Sequence, residues 1–212
     1  MWTFFWTSAR WWKMCTVQSS MENKKILCYV YDNMADFEIS LALHYLRNIG
    51  NYEIVSVAEN LQPVTAQSGL SFVPNVKISQ LTDLEPFEAL IIGGGPINNK
   101  QNAVCPLIKN LLQKNKLVAA ICFAPQFLWR AGVLNEHKFT TSCTQKDICL
   151  HKTEKPFPWE NYHDVRCITD KNLITAKGHA FVDFAQAICK YLNIFKDNFE
   201  LEEHFNKIKS TV

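Results

Sequence analysis

One stretch limits what this chain can fold into more than any other, the segment KLVAAICFAPQFLWRAG that runs from Lys116 to Gly132. Its apolar run, Leu117–Ile121, is typical of a strand buried on both faces. Pro125 suits the first turn of a following helix, because its missing N–H costs nothing there. Cys122 lies at the join, with an alanine two residues away on either side. A sharp strand-to-helix turn crowds those flanking positions, so the segment predicts a nucleophile elbow.

Two interpretations of Cys122 remain open at this point. A nucleophile elbow would present the thiol at the carboxyl end of a sheet and at the N-terminus of a helix, where the helix dipole favours thiolate over thiol. Alternatively, Cys122 is an ordinary buried cysteine that behaves as a small hydrophobic residue.

The rest of the chain alternates between strand and helix patterns. Strands are predicted over residues 25–31, 52–58, 89–92, 117–121 and 138–142, helices over 36–48, 104–111, 125–131, 181–192 and 197–208, hairpins around Gly69 and Asp170–Asn172, and a long loop over 143–163. Such alternation predicts an α/β fold in which a mainly parallel sheet carries helices on both faces.

Composition separates a short leader from the main domain. Residues 1–20 hold four of the six tryptophans and lack the apolar core of a signal peptide. We expect them to be a disordered or non-native leader, with a short amphipathic membrane anchor as the alternative, and residues 21–212 to form a single domain. The eight cysteines form no C-x-x-C pair, which indicates free thiols in a reducing cytoplasm. A net charge of +2 without a basic run, and no membrane-length apolar run, predict no nucleic-acid or membrane partner.

Three segments are expected at the carboxyl edge of the sheet, where sites form in open α/β folds. They are residues 32–38, Gly93–Pro96 and Cys122. The N–H groups of the glycine segment, together with that of Phe123, are candidates for an oxyanion hole, although a plain tight turn explains the glycines equally well. Glu38 is either part of this site or a solvated carboxylate in the first turn of a helix.

Four segments in order, KKILCYVYDNMADFEIS, EALIIGGGP, KLVAAICFAPQFLWRAGVL and NLITAKGHAFVDFAQAI, make residues 24–195 resemble the DJ-1/PfpI family of the class I glutamine-amidotransferase-like superfamily. The resemblance implies a flavodoxin-like three-layer sandwich that is usually dimeric. It implies that Cys122 is the reactive cysteine and that Glu38 hydrogen-bonds its sulfur. Gly94 and Gly95 match the glycines whose backbone faces that sulfur.

The chain departs from this family at both positions where its members carry a histidine. Many members have histidine directly after the cysteine, where this chain has Phe123, and DJ-1-like members have a T-T-H-P segment, where this chain has Thr-Thr followed by Ser142. Without a paired base, a Cys–His triad is unsupported. His179 is the best substitute, because its segment lines the site in similar proteins, whereas His151 and His163 are expected to be structural or solvated.

We expect a cytoplasmic protein that acts on a small-molecule substrate or ligand without a cofactor, and the family resemblance implies a homodimer. One interpretation is a cysteine-dependent hydrolase, amidase or glyoxalase/deglycase-like enzyme for small carbonyl or acyl compounds. The alternative is a non-catalytic, redox-responsive stress or ligand-binding protein that uses the same cysteine as a sensor. Cys143, Cys149 and His151 fit no zinc spacing, so no metal site is predicted.

Overall fold

The computed structural model describes residues 24–97, 103–149 and 157–210, so the predicted leader lies outside the described residues. A seven-stranded sheet with the order β5-β2-β1-β6-β7-β9-β8 forms the centre, and a two-stranded ribbon, β3-β4, stands apart from it. The strands are β1 Lys25–Tyr29, β2 Glu53–Ala58, β3 Val64–Thr65, β4 Ser71–Phe72, β5 Val76–Lys77, β6 Phe87–Ile92, β7 Leu117–Ile121, β8 Cys167–Asp170 and β9 Leu173–Ala176. Every pair in the large sheet is parallel except β8 with β9.

Helices cover both faces of this sheet, which confirms the predicted three-layer α/β sandwich. They are α1 Phe37–Asn48, α2 Val104–Gln113, α3 Pro125–Arg130, α4 Gln145–Cys149, α5 Phe181–Tyr191 and α6 Asn198–Lys209. Alternation along β1 separates the two faces, since Cys28 lines a cavity with residues of α1 while the ring of Tyr29 packs edge-on against Phe127 of α3. Helices α5 and α6 lie on the α1 side, and α2 lies beside α3.

Strand β7, an interior strand of the sheet, is apolar because both of its faces are covered. All five of its residues are buried, and it pairs in parallel with β6 on one side and β9 on the other. Full burial of Leu117, Val118 or Ile121 contributes roughly 1.5–3 kcal/mol each relative to exposure. The strand that carries the elbow is therefore anchored in the core along its whole length.

Both predicted hairpins are present. Strands β3 and β4 pair antiparallel around Gly69, whose φ of +86° lies in the left-handed region that glycine adopts without strain. Strands β8 and β9 pair antiparallel across Lys171 and Asn172, with Lys171 at φ +54°.

The prediction of a strand over residues 138–142 is wrong. The segment makes a single isolated bridge, from Phe139 to Tyr162, and its other backbone groups bond elsewhere. The N–H of Lys138 donates to the Asp170 carboxylate, and that of Thr140 donates to the Thr175 hydroxyl. Because side chains and loops take these bonds, no ladder forms in spite of the strand-like sequence.

The predicted loop over residues 143–163 also contains more order than expected. Helix α4 begins after Thr144, whose N–H donates to the Asp147 carboxylate while its hydroxyl accepts from the Asp147 N–H, an arrangement that resembles a capping box. Within the described ranges, no helix is long and apolar enough to cross a membrane.

Candidate active site

Cys122 occupies the sharp turn that the sequence predicted between β7 and α3. Its φ of +62° places a non-glycine residue in the left-handed region, at a cost of roughly 1–3 kcal/mol that the surrounding structure must hold. The Cys122 N–H donates to the Ala176 carbonyl at 2.8 Å, and Ala120 and Ala124 are both fully buried beside the turn. The small flanking residues are therefore required by packing, and the thiol is presented, partly exposed, at the carboxyl edge of the sheet.

Glu38 lies in the first turn of α1 but is not a solvated carboxylate. Only 3% of the residue is exposed. Its Oε2 accepts a hydrogen bond of 2.8 Å from the Gly94 N–H, and its carboxyl group also hydrogen-bonds the thiol of Cys122. The structure thus brings together Glu38, Gly94 and Cys122, three of the residues named from the sequence.

Gly94 and Gly178 border the Glu38–Cys122 pair at positions where a side chain would not fit. A Cβ on Gly94 would lie 2.5 Å from Glu38 Oε2 and 2.6 Å from Cys122 Cβ. A Cβ on Gly178 would lie 2.7 Å from Glu38 Oε1 and 2.9 Å from Cys122 Sγ. Gly95 is placed differently, since a Cβ on it would meet the Tyr31 hydroxyl at 2.7 Å.

Burial controls the protonation of both members of the pair. It raises the pKa of the Glu38 carboxyl, an effect that the hydrogen bonds from Cys122 and Gly94 partly oppose. The pKa of the Cys122 thiol is raised to about 12. Burial is the largest cause, and the charge of Glu38 and its hydrogen bond to the thiol raise the pKa further. A charged Glu38 and an anionic Cys122 sulfur therefore disfavour each other. The sequence led us to expect a thiolate stabilised by the N-terminus of α3; burial of the sulfur opposes that effect, and α3 has only six residues.

A raised pKa does not by itself distinguish Cys122 from the other thiols. Burial raises the pKa of the thiols of Cys28, Cys143, Cys167, Cys189 and Cys105 as well. Cys122 and Cys167 are both partly exposed and each has a backbone N–H donor at its sulfur, from Phe123 and Ile168. Cys122 differs from Cys167 in having a hydroxyl donor as well, that of Ser142.

No histidine in the described parts of the chain hydrogen-bonds Cys122. His179, the predicted substitute base, is exposed on the turn Gly178–Ala180. His163 is exposed, and His137 is buried with Nδ1 3.3 Å from the Asp170 carboxylate. His151 lies outside the described residues. The two family positions carry Phe123 and Ser142, so the described site contains a thiol and a carboxyl group but no imidazole.

Two residues of the site were missed as contacts by sequence reasoning, Ser142 and Gly178. The Ser142 N–H donates to the Cys122 carbonyl at 2.9 Å, and the Ser142 hydroxyl accepts from the Gly178 N–H at 3.0 Å. A signal was available for Gly178, which follows β9 at the same sheet edge as the elbow. Ser142 was considered only as a missing histidine.

Within the described ranges, no group of three histidine, cysteine, aspartate or glutamate side chains is placed to hold a metal ion. The Cys149 side chain and His151, both weighed as ligands, fall outside them.

In this site a cysteine lies on a strained strand-to-helix turn at the carboxyl edge of a parallel sheet and hydrogen-bonds a buried glutamate. These features define a class of α/β proteins with a cysteine nucleophile elbow. Residues 24–191 match the DJ-1/PfpI family, and the chain belongs to that family.

Individual relatives cover most of the chain at modest identity. The uncharacterized protease YdeA of Bacillus subtilis is 29% identical over 87% of this chain and 89% of its own length. Deglycase TK1284 of Thermococcus kodakarensis is 29% identical over 58% of this chain and 75% of its own length. The crystal structure of the DJ-1 superfamily protein Atu0886 from Agrobacterium tumefaciens superposes with a TM-score of 0.75 at 28% identity, covering 88% of this chain and 100% of that one.

Proposed function

We propose that this protein is a cysteine-dependent enzyme for small carbonyl compounds, with Cys122 as the nucleophile and Glu38 as the proton carrier. The observation that carries the proposal is the direct Glu38–Cys122 hydrogen bond in a site without an imidazole among the described residues. Hydrolysis of a peptide needs a base for the nucleophile and an acid for the amine leaving group. Addition of a thiol to an aldehyde expels no leaving group, so one carboxyl group is sufficient.

The addition step follows from the placement of the two residues. As the sulfur forms a bond to the carbonyl carbon, the thiol proton moves to the Glu38 carboxylate and the carbonyl electron pair moves to oxygen. The N–H groups of Gly95 and Phe123 are the proposed donors to that oxygen. Glu38 then returns its proton to the oxygen, which completes a neutral hemithioacetal. Burial favours this role, because it brings the pKa of the Glu38 carboxyl closer to the working pH of a general base.

An α-oxoaldehyde is the substrate that this pair suits best. After addition, Glu38 can remove the proton from the former aldehyde carbon while the ketone oxygen gains a proton, which gives an enediol. Return of a proton to the former ketone carbon, with loss of the hydroxyl proton from the former aldehyde carbon, gives a hydroxyacyl thioester. Water then hydrolyses the thioester, releasing an α-hydroxy acid and restoring the thiol. The name of the Thermococcus relative, a deglycase, supports carbonyl chemistry for this family branch.

The test is consumption of methylglyoxal by the full chain beside single substitutions. Cys122→Ser and Glu38→Gln should each lower turnover by roughly 10²-fold or more, because the nucleophile or its proton carrier is lost. His179→Ala should keep turnover within about twofold, because His179 is exposed and makes no hydrogen bond to Cys122. Loss of turnover in His179→Ala would contradict the proposal, as would native protein without turnover.

The absence of an imidazole from the described site also favours a second candidate, a redox-responsive protein. The Phe123 N–H and the Ser142 hydroxyl both point at the sulfur and are suited to hold the oxygens of a sulfinate. Mass spectrometry of peroxide-treated protein should then find Cys122 with two added oxygen atoms before Cys28 or Cys189 is modified. Equal oxidation of the three cysteines would exclude this role.

Two broader expectations accompany either function. We propose that the protein works in the reducing cytoplasm, in line with its free thiols. We also propose that it is a homodimer, as the family resemblance implies.

A further inference from the structure

The loop that contains Ser142 is clamped onto the elbow by its own backbone and side chains. The carbonyl of Cys122 accepts two hydrogen bonds, one of 2.8 Å from the Thr141 hydroxyl and one of 2.9 Å from the Ser142 N–H. One residue earlier, the Thr140 N–H donates to the buried Thr175 hydroxyl at 2.8 Å. These bonds fix the position of Ser142 relative to the nucleophile, so its side chain cannot drift from the site without breaking them.

The direction of the Ser142 hydroxyl is fixed as well. A hydroxyl group has two acceptor lone pairs and one proton to donate. The Gly178 N–H occupies one lone pair at 3.0 Å, so the proton points elsewhere. Among the residues that the structure describes, the acceptor for that proton is the sulfur of Cys122. The hydrogen bond from the Gly178 N–H to the Ser142 oxygen also polarises the O–H bond, which strengthens the hydrogen bond that the hydroxyl itself donates.

We propose that Ser142 is a positioning residue whose hydroxyl, held by the Gly178 N–H, donates a hydrogen bond to the Cys122 sulfur and stabilises it as an anion during attack. This inference deepens the proposed function and rests on it in one respect, that Cys122 is the nucleophile. A serine hydroxyl is too weak a base to take the thiol proton, so Ser142 replaces the family histidine as a donor only, and proton transfer is left to Glu38.

The donor role answers a conflict within the site. Burial and the Glu38 charge both disfavour an anionic sulfur, whereas the Ser142 hydroxyl and the Phe123 N–H favour it. Without Ser142, a single backbone donor would oppose both effects. We therefore expect the loss of this hydroxyl to slow every reaction that passes through anionic sulfur, including reactions with reagents that are not substrates.

The experiment measures the rate of Cys122 alkylation by iodoacetamide against pH, with peptide mass spectrometry to separate Cys122 from the other thiols. Ser142→Ala should lower the rate about tenfold at each pH between roughly 7 and 9, which corresponds to a rise of about one unit in the pKa of the thiol. Ser142→Thr keeps a hydroxyl and should restore the rate to within about threefold of native.

Thr140→Val is the matched control, since the Thr140 hydroxyl lies on the same loop but bonds the Val165 carbonyl, and the Thr140 backbone N–H keeps its bond to Thr175. It should lower the melting temperature and leave the pH profile in place. An unchanged profile in Ser142→Ala, no rescue by Ser142→Thr, or an equal change in Thr140→Val would overturn the proposal.

Methylglyoxal turnover, measured in parallel, separates the two proposals. A pKa shift in Ser142→Ala without native turnover would uphold the donor role and refute the carbonyl enzyme.

Discussion

At the scale of single residues, Glu38 has opposite effects on the ease of forming a thiolate and on the reaction that needs one. Its charge raises the pKa of the Cys122 thiol, yet its carboxylate is the group available to accept the thiol proton. A neutral replacement should therefore separate acidity from catalysis, which few single substitutions do.

We predict that Glu38→Gln makes Cys122 more acidic and the protein less active. Removal of the neighbouring negative charge lowers the pKa of the thiol, so alkylation by iodoacetamide at pH 8 should accelerate. Methylglyoxal turnover should fall by about 10²-fold or more, because an amide cannot carry the proton. Both rates falling together would mean that the substitution disrupts the elbow instead.

The same substitution should change how stability depends on pH. Burial raises the pKa of Glu38 in the folded protein, so its contribution to stability is fully present below the unfolded pKa of about 4.3 and is lost as pH rises through the folded pKa. Glu38→Gln does not ionise and should melt higher than the native protein at pH 8. At pH 4 the two melting temperatures should converge, and a constant difference at both values would refute the assignment.

Ser142 offers a test of what the missing imidazole costs. We predict that Ser142→His raises hydrolysis of p-nitrophenyl acetate at least several-fold near pH 7, because an imidazole at that position can serve as a base for the thiol. The gain should follow the titration of a histidine, with a midpoint near pH 6.5. Ser142→Gln, of similar size but without a titrating group, is the control and should show no gain.

At the scale of elements, the sequence predicted those parts whose cause is local. Contiguous sequence patterns predicted three of these parts. A fully apolar run predicted strand β7, small residues around Cys122 predicted the elbow, and a helical apolar face predicted α1. The strand expected at residues 138–142 failed because Thr140 and Ser142 bond to Thr175 and Cys122, partners far along the chain. The two-residue edge strand β5 has too little pattern to be recognised.

The candidate site divides in the same way. Cys122 and Glu38 could be named because a motif surrounds each of them, and the structure places them in contact. Ser142 could not be identified as a donor to the sulfur, because its role depends on how the loop after α3 folds back over β9, whereas the position of Gly178 directly after β9 was a usable signal. The side chain of His179, although it lies beside Gly178 in the sequence, points out to solvent.

We predict that Gly178→Ala disturbs the chemistry of the site as well as stability. The new Cβ would meet Glu38 Oε1 at 2.7 Å and Cys122 Sγ at 2.9 Å, so the pair must move apart. The expected loss of stability is about 1–3 kcal/mol, with at least a tenfold loss of methylglyoxal turnover.

Gly50→Ala provides a matched control for crowding. A Cβ there would lie 2.8 Å from the Tyr52 side chain and 2.9 Å from the Leu46 carbonyl oxygen. Neither residue belongs to the site. Its melting temperature should fall to a similar degree while turnover per folded molecule stays native. Equal loss of turnover in both variants would mean that Gly178 acts through stability alone.

At the scale of the whole molecule, the family resemblance predicts a homodimer. Large apolar side chains that remain exposed on the chain, among them Phe37 on α1 and Val73 beyond β4, are the kind of surface that an interface buries. Light scattering at micromolar concentration should report about twice the chain mass of 24.4 kDa. A particle of one chain mass would refute the prediction at that concentration.

Strand β7 lies between β6 and β9, and each of these neighbours leads into one of the glycines that border the sulfur. A slip of one residue along either neighbour would carry Gly94 or Gly178 about 3.3 Å from its place and turn alternate side chains to the opposite face. The Glu38–Cys122 pair therefore forms only in molecules whose three strands are aligned correctly. Titration of the pair with an active-site reagent would count correctly assembled molecules in a preparation, which makes the chemistry of the site a quality measure of the sheet beneath it.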